Sequence, residues 1–109
     1  MTRTAAIAAV EAYFDEGGFA ADLARRVAIP TESQVEGSGS LLHAYLGDEI
    51  APTLKRLGFK STIFDNPVRG GPILIAERRE DKAAATVLGY GHGDVIRGLE
   101  AQWRKGLSP

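Results

Sequence analysis

Two residues near the C-terminal end of the chain carry the chemistry that side-chain types and spacing can offer. His92 and Asp94 lie two positions apart in Leu88-Gly89-Tyr90-Gly91-His92-Gly93-Asp94-Val95. In an extended backbone, side chains two apart point to the same side. Imidazole is the commonest biological metal ligand, and a neighbouring carboxylate commonly fixes its tautomer through the other ring nitrogen. Gly91 and Gly93 remove bulk on either side and permit close approach or an unusual backbone. A hydrogen-bonded structural pair of the same residues is the competing reading, because His-X-Asp is short.

The other polar candidates read as structural. His43 falls on a predicted helix, in a surface or packing role, and Asp48-Glu49 on the same helix reads as a solvated face. Glu32 and Glu36 belong to a polar loop, and Asp65 and Asp81 flank turns, where Asp is common. Gly37-Ser38-Gly39-Ser40 lacks the lysine and the preceding strand of a phosphate loop, so it reads as a flexible connection. Cysteine is absent, which excludes disulfides and thiolate chemistry and suits a reducing compartment.

The elements that position these residues follow from periodicity. Ile7, Val10 and Phe14 mark a helix over about 4–16, broken by Gly17-Gly18. Phe19, Leu23 and Val27 mark a second, ended by Pro30, with Asp22, Arg25 and Arg26 on its other side. Leu42, Leu46, Ile50, Leu54 and Leu57 form one face of a third over about 40–57. Ser40 is the expected N-cap, Pro52 implies a kink near Ala51, and Gly58 is the expected stop. Phe59–Phe64 and Pro72–Glu77 read as strands around an Asn66–Gly71 turn. The charge run Arg78–Lys82 is a solvated connection. Ala84–Gly91, apolar on both faces, reads as a third, central strand covered on two sides. The expected fold class is α/β, with helices followed by three strands of a mixed sheet. Its site lies where the chain leaves that third strand.

Composition bounds the function. The 109 residues are 44% apolar and 25% charged, with 13 Lys plus Arg against 14 Asp plus Glu. That is a globular balance with no basic block, which argues against nucleic acid and against a polybasic membrane patch. The alanine-rich N-terminus, followed at once by Glu11, Asp15 and Glu16, reads as an amphipathic helix rather than a signal peptide. No run reaches membrane-spanning length, and the reading is a soluble, cytoplasmic protein.

The strand Val-Leu-Gly-Tyr-Gly-His-Gly-Asp-Val, placed after helices and two short strands, resembles the dinuclear zinc family of acetylornithine deacetylase, succinyl-diaminopimelate desuccinylase and carboxypeptidase G. Leu23-Ala24-Arg25-Arg26-Val27-Ala28-Ile29-Pro30-Thr31-Glu32-Ser33 is similar to that family's first helix running into an Ile-Pro-Ser/Thr turn. The resemblance covers about residues 10–109. It implies the N-terminal portion of a three-layer α/β/α zinc-exopeptidase-like domain, residues 1–109 being a partial catalytic domain.

By that resemblance His92 is the first ligand of one of two zinc ions, and Asp94 orients and polarises it without binding metal. The substrate is a peptide or acylated amino acid, whose amide bond is hydrolysed by a zinc-held water with a later Glu as general base. The bridging Asp, the Glu-Glu pair, a further carboxylate ligand, the distal His and the inserted dimerisation domain all lie beyond the region aligned. The chain alone is therefore expected to be catalytically incomplete and to hold zinc weakly or not at all. Gly93, where the family more often has a bulkier residue, and Ile96-Arg97-Gly98, where a proline is common, depart from its pattern and bear on the substrate subgroup. The family's sheet inserts a further strand between the second and third strands read here, so unpaired edges and self-association are expected. The alternative is a non-enzymatic small α/β module that acts through self-association or by binding a partner.

Overall fold

A computed structural model describes residues 2–68 and 70–107 of the chain. Arg69, inside the expected turn, and the terminal Ser108-Pro109 lie outside the described residues. Helices and strands are both present. Helix α1 (Arg3–Asp15) starts at Thr2, whose hydroxyl accepts from the Ala5 N–H at 3.2 Å. Gly17, at φ +82°, turns the chain into α2 (Gly18–Val27). The hairpin is held by the Phe14 and Phe19 rings, with centroids 5.7 Å apart, and by a Tyr13 hydroxyl hydrogen bond to Asp22.

The expected third helix is three consecutive pieces. They are α3 (Gly39–Ala44), a π-helical stretch Tyr45–Ile50, and α4 (Ala51–Arg56) with Pro52 in its first turn. Proline has no N–H to donate and its ring collides with the carbonyl four residues back, here Asp48. The wider π turn absorbs that collision, so the expected kink is a change of helical pitch. The start also differs from expectation. Ser38, buried and in a helical conformation, precedes Gly39, and no side-chain cap is formed. The end agrees. Gly58 takes φ +84°, Phe59 N–H reaches Leu54 O and Gly58 N–H reaches Lys55 O, both at 3.0 Å. This is the Schellman pattern, which needs the left-handed glycine.

Strands β1 (Lys60–Phe64) and β2 (Ile73–Glu77) pair antiparallel, in a register that sets Thr62 opposite Ile75. Ser61, Ile63, Leu74 and Ala76 are half-buried on the face turned to the helices. Phe64, Ile73 and Ile75 are exposed on the other. The sheet is thus covered by one layer.

The expected third strand is not formed among the described residues. Among the described residues the sheet has two strands, and 85–91 has no regular structure and no backbone hydrogen bond to protein. Val87, Leu88 and Tyr90 are 91%, 94% and 93% exposed. A strand exists through its ladder, and no partner lies alongside this segment.

Leu42 is the single buried apolar side chain among the described residues. The accessible surface is 9417 Å², against about 5,800 Å² for a compact 11.6 kDa protein. The radius of gyration is 17.2 Å, against about 13 Å for a compact domain of this length. No helix among the described residues is long and apolar enough to cross a membrane.

Charge rather than apolar area joins α2 to the π-helical stretch, and this corrects the reading of Glu49 as solvated. Arg25 Nη2 lies 2.9 Å from Glu49 Oε1 and 2.6 Å from Asp22 Oδ1, and Arg26 Nε lies 3.4 Å from Glu49. Asp48 remains exposed. The hydrogen bond from Arg25 holds the Glu49 carboxyl below its ordinary range, and those from Tyr13 and Arg25 do the same for Asp22. A carboxyl whose folded-state pKa is depressed stabilises the fold at pH above its unfolded value, about 4, and loses that contribution as pH falls through the folded value. Arg25 faces solvent while its partners are half-buried, so salt weakens the network in part. Glu49→Gln should therefore lower the melting midpoint at neutral pH and flatten its decline on acidification. Equal acid sensitivity in the two proteins, measured by circular dichroism at low salt, would remove this joint from the account.

Candidate functional site

His92 and Asp94 come together, at a place other than the end of a sheet strand. The segment 93–95 lies parallel to 31–33. Val95 N–H donates to Thr31 O at 3.0 Å, the Thr31 hydroxyl donates to the Gly93 carbonyl at 2.7 Å, and Glu32 and Val95 form an isolated parallel bridge. Arg97 adds a bond to Gln34 O at 3.2 Å. Pro30 stops α2 and leaves these backbone groups free of helical partners, which is why the loop can accept the returning chain. Thr31 is 3% exposed, the lowest value among the residues singled out for burial.

Within this frame the His92 ring is turned inward at one nitrogen. Nδ1 is 3.1 Å from the Asp94 backbone oxygen and 3.4 Å from its carboxylate Oδ1. A carbonyl oxygen can only accept, so the shorter contact places the proton on Nδ1. In the neutral form of such a ring Nε2 carries the lone pair. It has no protein partner among the described residues, and the side chain is 72% exposed. The expected role of Asp94 is thereby divided. Its backbone oxygen makes the closer contact, while its carboxylate accepts from the Ser33 hydroxyl at 2.8 Å. That bond comes first among the influences that hold the Asp94 carboxyl below its ordinary pKa, with the nearby imidazole contributing less.

Gly93 has a specific neighbour. A Cβ there would overlap the aromatic ring of Tyr45, which reaches across from the start of the π-helical stretch. The ring fills the space that a side chain at position 93 needs. Behind it lies an open cleft of about 390 Å³, bounded by Ile29, Pro30, Tyr45 and the His92–Val95 segment. A larger groove of about 850 Å³ adjoins it at Glu32 and Val95, is lined further by Leu99, Trp103 and Leu107, and contains no histidine. His92 and Asp94 line the smaller cleft.

The remaining candidates stay apart from this pair. His43 Nε2 lies 3.0 Å from Asp65 on the surface. Asp81 caps its own turn by accepting from Ala83 N–H at 2.8 Å. Among the described residues no group of three His, Cys, Asp or Glu side chains converges as a metal site needs. The donor set fits one metal ligand with its orienting partner and no more. Thr31, Ser33 and Tyr45 were not singled out as site residues from the sequence. The hydroxyls of Thr31 and Ser33 beside Pro30 were a visible signal, whereas Tyr45 had none, because its pairing with Gly93 depends on tertiary packing. No family model matches the chain, and comparison with curated proteins and with solved structures gives no match.

Gly93→Ala should displace the Tyr45 ring or loosen the 93–95 pairing, and Tyr45→Ala should relieve it. A double-mutant cycle on thermal stability should give a coupling of about 0.5–3 kcal/mol, the usual range for residues in contact. Additive effects would show that the ring does not occupy that space. Ser33→Ala should return the Asp94 carboxyl toward its ordinary pKa, read by carbon-detected NMR titration, and an unmoved value would remove Ser33 from the site.

Proposed function

We propose that the chain carries the first zinc-ligand segment of a metal-dependent hydrolase of peptide or N-acyl amino acid amide bonds, the other ligands coming from polypeptide outside these 109 residues. The reading extends to the fold. Residues 1–109 form the N-terminal portion of a three-layer α/β/α domain, in which 84–91 becomes a paired strand once the rest of the sheet is present. The observation that carries it is the His92 ring, with Nδ1 held by Asp94 and Nε2 without a protein partner among the described residues, on a largely exposed side chain. A metal-bound histidine characteristically donates its other ring N–H to a carboxylate or a backbone carbonyl.

Zinc, when bound, lowers the pKa of a bound water and polarises the scissile carbonyl. The chain's own part is positional. Asp94 holds the imidazole tautomer, Ser33 holds the Asp94 carboxylate, and Thr31 fixes the backbone between them. Tyr45 and Pro30 form part of the wall of the cleft that His92 and Asp94 line.

One imidazole falls short of the three or four protein ligands of an ordinary zinc site. The 109-residue chain should therefore bind zinc weakly or undetectably by calorimetry. Tight one-to-one binding lost in His92→Ala would contradict this. In a polypeptide that supplies the remaining ligands, Asp94→Ala should cost roughly ten- to a hundredfold in metal affinity or turnover, and His92→Ala at least as much. Full zinc content and turnover in either variant would overturn the reading.

A second reading is favoured by the exposed apolar surface. Here the chain is a non-enzymatic α/β module that works by associating with itself or a partner, and the His92–Asp94 contact is structural. Association that persists with the metal removed, in a protein without amidase activity, separates it from the first.

A further inference from the structure

We propose that the 109-residue chain forms a closed pair in which residues 85–91 of each copy add as a strand to the outer edge of β2 in the other. The inference rests on the association reading and needs no metal. Both halves of the contact are present in one chain. Residues 85–91 carry unpaired backbone groups and three large apolar side chains at more than nine-tenths exposure. At about 3.3 Å per residue, the segment is long enough to run beside all five residues of β2. β2 reads Ile-Leu-Ile-Ala-Glu between Pro72 and Arg78, and from Ile73 to Ala76 it carries no charge, proline or bulge, whereas β1 begins at Lys60. Edge strands without such guards are templates for pairing.

The segment is anchored away from its own β2. The Asp81 turn redirects the chain after β2, and the ties of Gly93 and Val95 to Thr31 hold the far end against the α2 loop. A second copy offers the same edge without that constraint. Exchange in both directions uses one surface twice about a two-fold axis, so the assembly closes at two. The area agrees. The surface beyond that of a compact chain of this mass is roughly 3,600 Å². A standard interface takes about 800 Å² from each partner. Phe64, Ile73 and Ile75 on the uncovered sheet face lie beside the same edge and extend the contact.

Sedimentation of the metal-free chain across a wide concentration range tests this, together with amide hydrogen exchange. The expected result is a particle of two 11.6 kDa chains, with amides of 85–91 protected at high concentration and open on dilution. Val87→Pro removes one ladder donor and should weaken the pair by roughly tenfold or more. Val87 is exposed and its backbone unbonded in the single chain, so circular dichroism of the monomer should not change. Leu88→Lys, which keeps the backbone donor, should also weaken it. A monomer at every concentration would overturn this inference and the self-association form of the second reading, leaving only the binding of a different partner. A pair indifferent to both variants, with 85–91 unprotected, would overturn the inference and leave association standing. Open-ended assemblies would overturn the closed exchange.

Discussion

The short parallel contact between residues 31–33 and 93–95 is the interaction on which the arrangement of the site depends. One backbone N–H and one hydroxyl, both centred on Thr31, bring together segments separated by more than sixty positions. A buried hydrogen bond contributes about 1 kcal/mol net, but leaving its partners unmet in a dry place costs more. Thr31 is dry. This tie sets Asp94 beside Ser33 and Gly93 against the Tyr45 ring. The site is therefore held by polar pairing in a chain whose apolar groups are largely in water.

That distribution explains which features the sequence made legible. Helix boundaries depend on neighbouring residues, so α1, α2 and the Gly58 stop followed from periodicity, capping and a left-handed glycine. β1 and β2 followed because they pair with each other across one turn. Ala84–Gly91 has the composition of a buried strand, but strand formation requires a partner, and none within the chain lies alongside it. Composition stated what the segment would do in a covered place, and the place was not there. Pro52 was legible as a disturbance, but not as a π turn, since that depends on how the helix accommodates Asp48.

The His92–Asp94 proximity was legible from spacing alone, and its division of labour was not. Spacing puts two side chains on one side of an extended backbone. It does not reveal that the carboxylate turns toward Ser33 while the backbone oxygen accepts a hydrogen bond from the imidazole Nδ1. Glu49 went astray for a related reason. Helical periodicity sorts residues into faces, and only packing decides that a polar face meets Arg25 and Arg26 on another helix.

The one-sided cover of the sheet has a calorimetric consequence. The heat-capacity change of unfolding arises from apolar surface passing into water. With Leu42 as the single buried apolar side chain among the described residues, much of that surface is hydrated before the chain unfolds. The separate chain then has a shallow stability curve, and its unfolding depends weakly on denaturant. Covering the outer face of β1 and β2 would deepen the curve and steepen that dependence together. Cooperativity in this chain is thus limited by how much apolar surface its own elements can cover.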